Sequence, residues 1–320
     1  MRRVLHIITF LGILLLMGTS CQRRPFFEQS TPVNLVLSIN LNVVNETDLE
    51  TPEMLKVVFY DMYTGKEMHE DYISAEGGYV YPEPGHYDLV VYSMATEATH
   101  LADEDNIHTN KAFSGEISDF LKGQISSLLK AMGQTKDPSE EPIVYEPDHL
   151  WVASEHDVII PSVRPGETKD IVIHLEAHSI VESWKVICRQ VQGLEYINSI
   201  KCIASGLLEG EFIVEELPMD GSAGVFYQMG RGSEENTLQG RFRTFGKHPQ
   251  RANYMIFDFG VTDTKGDEHH FRFDVTDQFL NSRDYTIIID EPIVIPEPEG
   301  GGGFLPTVDD WENIETNIEL

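Results

Sequence analysis

From Val33 to Val43 the odd-numbered positions read Val, Leu, Leu, Ile, Leu, Val, while Asn34, Ser38, Asn40 and Asn42 fall between them. Side chains of an extended chain point alternately to two faces, so a period of two predicts a strand with one face on a core and the other in water. Leu55, Val57 and Phe59 repeat the pattern ahead of a Thr64-Gly65 turn. Pro82-Glu83-Pro84-Gly85 then feeds directly into His86-Tyr87-Asp88-Leu89-Val90-Val91-Tyr92, a turn followed by an aromatic and β-branched strand. These segments predict antiparallel sheet with one wet face.

After Met94 the period changes. Asp103, Glu104, Asp105 and Asn106 form a polar loop, and Ile117, Phe120, Leu121, Ile125, Leu128 and Met132 recur at helical spacing before Gly133 and Pro138. The spacing predicts one amphipathic helix over 115–132, inserted between strands and capping an open sandwich edge. Strand patterning resumes at Leu150-Trp151-Val152, at Val158-Ile159-Ile160 and, past Pro165-Gly166, at Ile171, Ile173 and Leu175. A second set of strands is centred on Trp184 to Cys188, Ser199 to Ala204, Val225 to Tyr227, Gly240 to Phe245, Tyr254 to Val261, His270 to Val275 and Tyr285 to Ile289. About seven short strands per set, divided by turn signals, is the pattern of a β-sandwich, and two sets imply an all-β chain of two domains, 32–176 and 177–295.

The N-terminus reads as an export signal over 1–20. Arg2 and Arg3 precede an apolar run from Leu11 to Met17, too short to span a membrane, and Gly18, Thr19 and Ser20 lead to Cys21. Small residues ahead of a cysteine suit lipoprotein processing, in which the thiol takes a diacylglycerol. Cys21 is therefore the expected lipid site, heading a lipidated linker over 21–31. No aspartate follows it to suggest inner-membrane retention, which favours a lipid-anchored place at the outer membrane, facing the cell surface. Removing Arg2 and Arg3 takes the formal net charge from −30 to −32, a balance that repels nucleic acid.

Cysteine is too scarce for a disulfide scaffold. Beyond Cys21 there are only Cys188 and Cys202, placed on adjoining strands of the second domain, either as a disulfide or as two half-buried free thiols. The twelve histidines show no metal-ligand spacing, and His269-His270, adjacent in a strand, would point to opposite faces. No G-x-S-x-G elbow or phosphate-cradling glycine loop is present, and Gly230-Arg231-Gly232-Ser233 reads as a turn. Enzymatic chemistry and cofactors are not expected.

The segment 296–320 stands apart. Pro296 and Pro298 lead to four glycines, Gly300 to Gly303, a flexible hinge. Beyond it come Phe304, Leu305, Val308, Trp311, Ile314, Ile318 and Leu320 among five acidic residues, too apolar for a solvated tail and too short to fold alone. A tryptophan there implies something that receives it.

Taken together, Cys21 with Arg23-Arg24-Pro25, the early alternating strand, the Pro84-to-Tyr92 segment, Asp274-Val275-Thr276-Asp277-Gln278 and the glycine hinge before an acidic tail resemble the fimbrillin-like lipoproteins of Bacteroidota, the subunits of type V pili. The resemblance implies two tandem transthyretin-like β-sandwich domains, no catalysis, and assembly by strand exchange, in which one subunit fills a groove in another. The tail residues Phe304 to Ile318 are then the candidate exchanged strand. In polymerising subunits of the family an arginine-directed protease removes the first strand. Arg23 and Arg24 precede Val33, so cleavage there would leave that strand in place, which favours an accessory, anchor or tip-type role in adhesion. Other fimbrial subunits or a surface receptor are the partners implied. The alternative is a stand-alone surface lipoprotein that binds glycan, which an exposed aromatic platform would favour.

Overall fold

The computed structural model describes residues 31–298 except 43, 44, 47, 48, 50, 134–140, 164–168, 170 and 251. The chain opens with β1 (Val33–Ile39), β2 (Met54–Asp61), β3 (Glu67–Ser74), β4 (Gly77–Val80) and β5 (Gly85–Ser93). An excursion follows, made of β6 (Thr99–Ala102), β7 (Lys111–Ser114), helices α1 (Asp119–Gln124) and α2 (Ser126–Ala131), and β8 (Ile143–Tyr145). Then β9 (Trp151–Ile160) and β10 (Ile171–Ser179) return to the first five strands. Seven strands close in the order β1-β10-β9-β5-β2-β3-β4. Two seams of this ring are short: β3 meets β4 only at Ser74–Gly77, and β9 meets β10 only at Val152–His178 and Trp151–Ser179. The ring is thus flattened into two layers, β3-β2-β5-β9 and β4-β1-β10, around Val33, Leu35, Phe59, Leu89 and Trp151.

The second unit holds β11 (Glu182–Cys188), β12 (Val191–Gln192), β13 (Ile197–Leu208), β14 (Gly210–Phe212), β15 (Leu217–Pro218), β16 (Ser222–Arg231), β17 (Leu238–Thr244), β18 (Ile256–Asp263), β19 (Glu268–Asp274), helix α3 (Thr276–Asn281), β20 (Thr286–Ile289) and β21 (Ile293–Val294). Its main sheet runs β19-β18-β13-β16-β17-β11-β20. The long β16 joins two layers, pairing with β13 through Gln228 and with β17 from Met229 onward. Between them lie Trp184, Tyr227, Phe242, Phe257 and Phe259. The rings meet their neighbours at 5.0–6.0 Å, mostly in tilted or edge-on pairs with Phe257 and Phe259 stacked, geometries that aromatic quadrupoles favour.

The excursion does not stay with the strands that flank it in sequence. β7 pairs with β14, so 99–114 and 210–218 form one sheet, β6-β7-β14-β15. β8 adds in parallel to β16, and the helices lie over the outside of the second unit, where Ile117, Ile125 and Leu128 pack on Ile203 and Phe226. The absence of a side chain at Gly260 lets Leu128 approach, since a Cβ there would stand 3.3 Å from it. The helix expected over 115–132 is corrected on two counts. It is a pair of six-residue helices broken at Ile125, and it covers the second unit rather than an edge of the first. Ile125 leaves helical geometry (φ −108°, ψ 17°) and is buried, whereas α1 buries no residue at all, so inward packing of one side chain outweighs continuity of a marginal helix.

The expected wet face is also absent from β2 and β5. Val58, Tyr60, Val90 and Tyr92 point away from the first core yet are buried, because Ile107, Ala112, Leu208, Ile213 and Phe245 cover them. The two units therefore share a third apolar cluster.

Candidate functional site

The strand with the clearest alternation is also the one most firmly seated. Val33, Leu35 and Leu37 are buried in the first core, while β1 is hydrogen-bonded on both sides, parallel to β10 from Val33–Ile171 to Ile39–Ala177 and antiparallel to β4 from Val33–Val80 to Val36–Gly77. Just ahead of it, Thr31 donates from its hydroxyl to the Pro161 carbonyl at 2.8 Å. Gly77 makes the closest approach possible: its φ is +109°, and a Cβ would fall 2.0 Å from the Leu35 carbonyl oxygen. Only glycine suits that position.

The loop after β1 is fastened to the second unit. Asn45 donates from Nδ2 to the carbonyls of Asp284 (2.8 Å) and Tyr285 (3.0 Å). Glu46 reaches His149 and, on β17, Arg243, which also faces Glu146 and Asp148. His149 Nε2 lies 3.2 Å from Glu46 Oε1, within ion-pair distance but without the alignment of a hydrogen bond. The His149 imidazole first, and Arg243 with it, hold the Glu46 carboxyl down to about 2 against the opposing effect of burial. Residues 31–39, with Asn45 and Glu46, thus tie the two units together.

Sheet edges are the second feature an assembling protein needs. Among the described residues β19 and β20 end the main sheet of the second unit, each with one neighbour, β18 and β11 respectively. On β19, His269 and His270 reach Asp263 (3.2 Å) and Asp258 (2.9 Å), so each imidazole is occupied by a buried carboxylate. Unpaired strand edges bind other chains readily.

Cys188 and Cys202 are free thiols, and they do not lie on adjoining strands: β16 and β17 separate β13 from β11. Both face the second core, and burial pushes Cys188 up to about 12 and Cys202 well above its ordinary value. Cys21, the hinge Gly300 to Gly303 and the tail residues Phe304, Leu305, Val308, Trp311, Ile314 and Ile318 lie outside the described residues. Sequence reasoning missed a polar knot between β2, β3 and β5 and the excursion that follows them. Lys56 on β2 sits 2.8 Å from Glu70 and 2.9 Å from Glu104, and Tyr92 donates to Glu104 at 2.7 Å. The only signal was a lysine at a position where its strand neighbours are all apolar.

Comparison with known proteins agrees with this architecture. The family described as a domain of unknown function, DUF5119, matches residues 20–226. A Bacteroides ovatus protein named as a fimbrium anchoring subunit, Fim4B, is 25% identical over 345 residues, covering 96% of this chain and 95% of its own length. The crystal structure of an adhesin from the same species, 20% identical, superposes with a TM-score of 0.60 over 88% of this chain and 99% of that one. The fimbrial anchor Mfa2 of Porphyromonas gingivalis covers 80% of this chain and 90% of itself with a TM-score of 0.46 and 13% identity. The chain belongs to the DUF5119 family and carries the all-β, fimbrillin-like fold of Bacteroidota fimbrial and adhesin proteins.

Proposed function

We propose that this protein is a fimbrial accessory subunit of anchor or tip type, held at the outer membrane by lipid on Cys21 and acting in adhesion through contacts with other fimbrial subunits. The similarity to Fim4B over nearly the whole length of both chains supports this reading. The observation that carries the non-polymerising role is the fixation of β1. The strand is bonded on both sides, its following loop is clipped to the second unit, and no lysine or arginine occurs from Pro25 to Leu55. A basic-residue protease therefore has no bond to cut that would free β1 and open a groove. The mature protein isolated from cells should retain residues 32–61 at its N-terminal end by mass spectrometry. An isolated chain whose first residue lies beyond Ile39 would overturn the role.

The hinged tail supplies a strand to a partner in this reading, since it holds apolar residues enough to fill a groove. Deleting 304–320 should abolish partner capture and leave the circular-dichroism spectrum of the rest unchanged. Uptake of labelled palmitate by a Cys21→Ala chain would remove the lipid anchor from the proposal.

A further inference from the structure

The outward face of the layer β4-β1-β10 carries little of the negative charge of this acidic molecule. The chain has 53 acidic residues, yet the three strands carry one carboxylate, Glu176. In its place stand Tyr79 and Tyr81, 60% and 53% exposed, with Val80 fully buried between them, so both rings point outward. Tyr79 is in register with Asn34, Asn34 with Val172, and Val36 with His174. Val36 and Val172 are themselves exposed.

The polar groups around the two tyrosines are unspent, although Ser38 and His178 further along the face bond the Leu175 carbonyl and Glu216. Other exposed tyrosines are tied to their own surroundings, Tyr63 to His86 and Tyr72 to Glu70. The hydroxyls of Tyr79 and Tyr81, the Asn34 amide and the His174 imidazole have no hydrogen-bond partner among the described residues. Phenol, amide and neutral imidazole can each donate and accept, as sugar hydroxyls do. Two rings two residues apart on extended chain stand about 7 Å from each other, close enough for one saccharide chain to lie over both with its C–H faces on the rings. A second copy of this chain is a poor occupant, since two bodies of net charge near −30 repel. A neutral polyhydroxyl chain meets no such penalty.

We propose that the outer face of β4-β1-β10 is a glycan-binding platform that takes an uncharged oligosaccharide across Tyr79 and Tyr81, with Asn34 and His174 bonding its hydroxyls. The platform goes beyond the fimbrial reading and does not depend on it. The test is calorimetric titration of the mature chain with cellohexaose, maltohexaose, mannohexaose and chitohexaose at millimolar concentration. At least one should bind, and Tyr79→Ala and Tyr81→Ala should each weaken it about tenfold. Tyr63→Ala, at an exposed ring already bonded to His86, should leave affinity unchanged, and melting curves should show all variants folded. Failure of all four sugars to bind overturns the proposal. So does binding indifferent to both tyrosines, or a loss of self-association in the two variants without sugar, which would assign the face to a second copy.

Discussion

Glu211 on β14 illustrates how a single side chain records the meeting of the two units. Burial first, then the nearby charges of Glu216 and Glu182, push its carboxyl up to about 8 from the ordinary 4.5. An acid whose folded value is raised keeps its proton after the unfolded chain has lost it. Stability is therefore fully present below about pH 4.5, falls as pH rises to about 8, and is flat above. Glu211→Gln should remove that slope. Urea unfolding at pH 5 and pH 8 should show the variant gaining about 1–2 kcal/mol on the natural protein between the two, after allowance for partial exposure. Equal gains at both values would show that the carboxyl is already ionised in the folded state. Neither Glu211 nor the Lys56 knot was legible in the sequence, because Lys56 meets Glu104 and β14 meets β7 only through tertiary packing of segments 48 and about a hundred residues apart.

Among elements, β1 makes the sharpest forecast. Gly77→Ala would place a methyl on the Leu35 carbonyl and force a left-handed backbone on a residue with a side chain, so it should cost about 2–4 kcal/mol in denaturant unfolding. Gly133→Ala, also at positive φ but in open space, should cost less. The alternation that makes β1 readable is present because one of its faces is wet. β2 and β5 show six and five consecutive buried residues, so their odd positions announced strands while their even positions concealed a second buried face. Short elements fared worse. β8 has three residues and β14 three, and their partners, β16 and β7, lie some eighty and a hundred residues away, so no local period could show them. The helix pair was legible as apolar spacing, but where it packs depends on Gly260 and Ile203, which no window around 115–132 contains.

For the whole molecule, the expected pair 32–176 and 177–295 meets an excursion, 99–145, that contributes strands and helices to the second unit. We propose that the two cores form one cooperative unit. Single-tryptophan variants keeping only Trp151 or only Trp184, one in each core, should report the same denaturation midpoint. Midpoints that differ clearly would make the units independent. The two ladders along β1 carry a mechanical meaning as well. With the lipid on Cys21 proposed above as the tether, tension arriving ahead of residue 31 would run along a strand whose bonds to β10 and β4 lie side by side across the line of pull. Such a load is shared by many bonds in shear instead of opening them one after another. Under that proposal the end of the chain nearest the tether is the part suited to withstand drag.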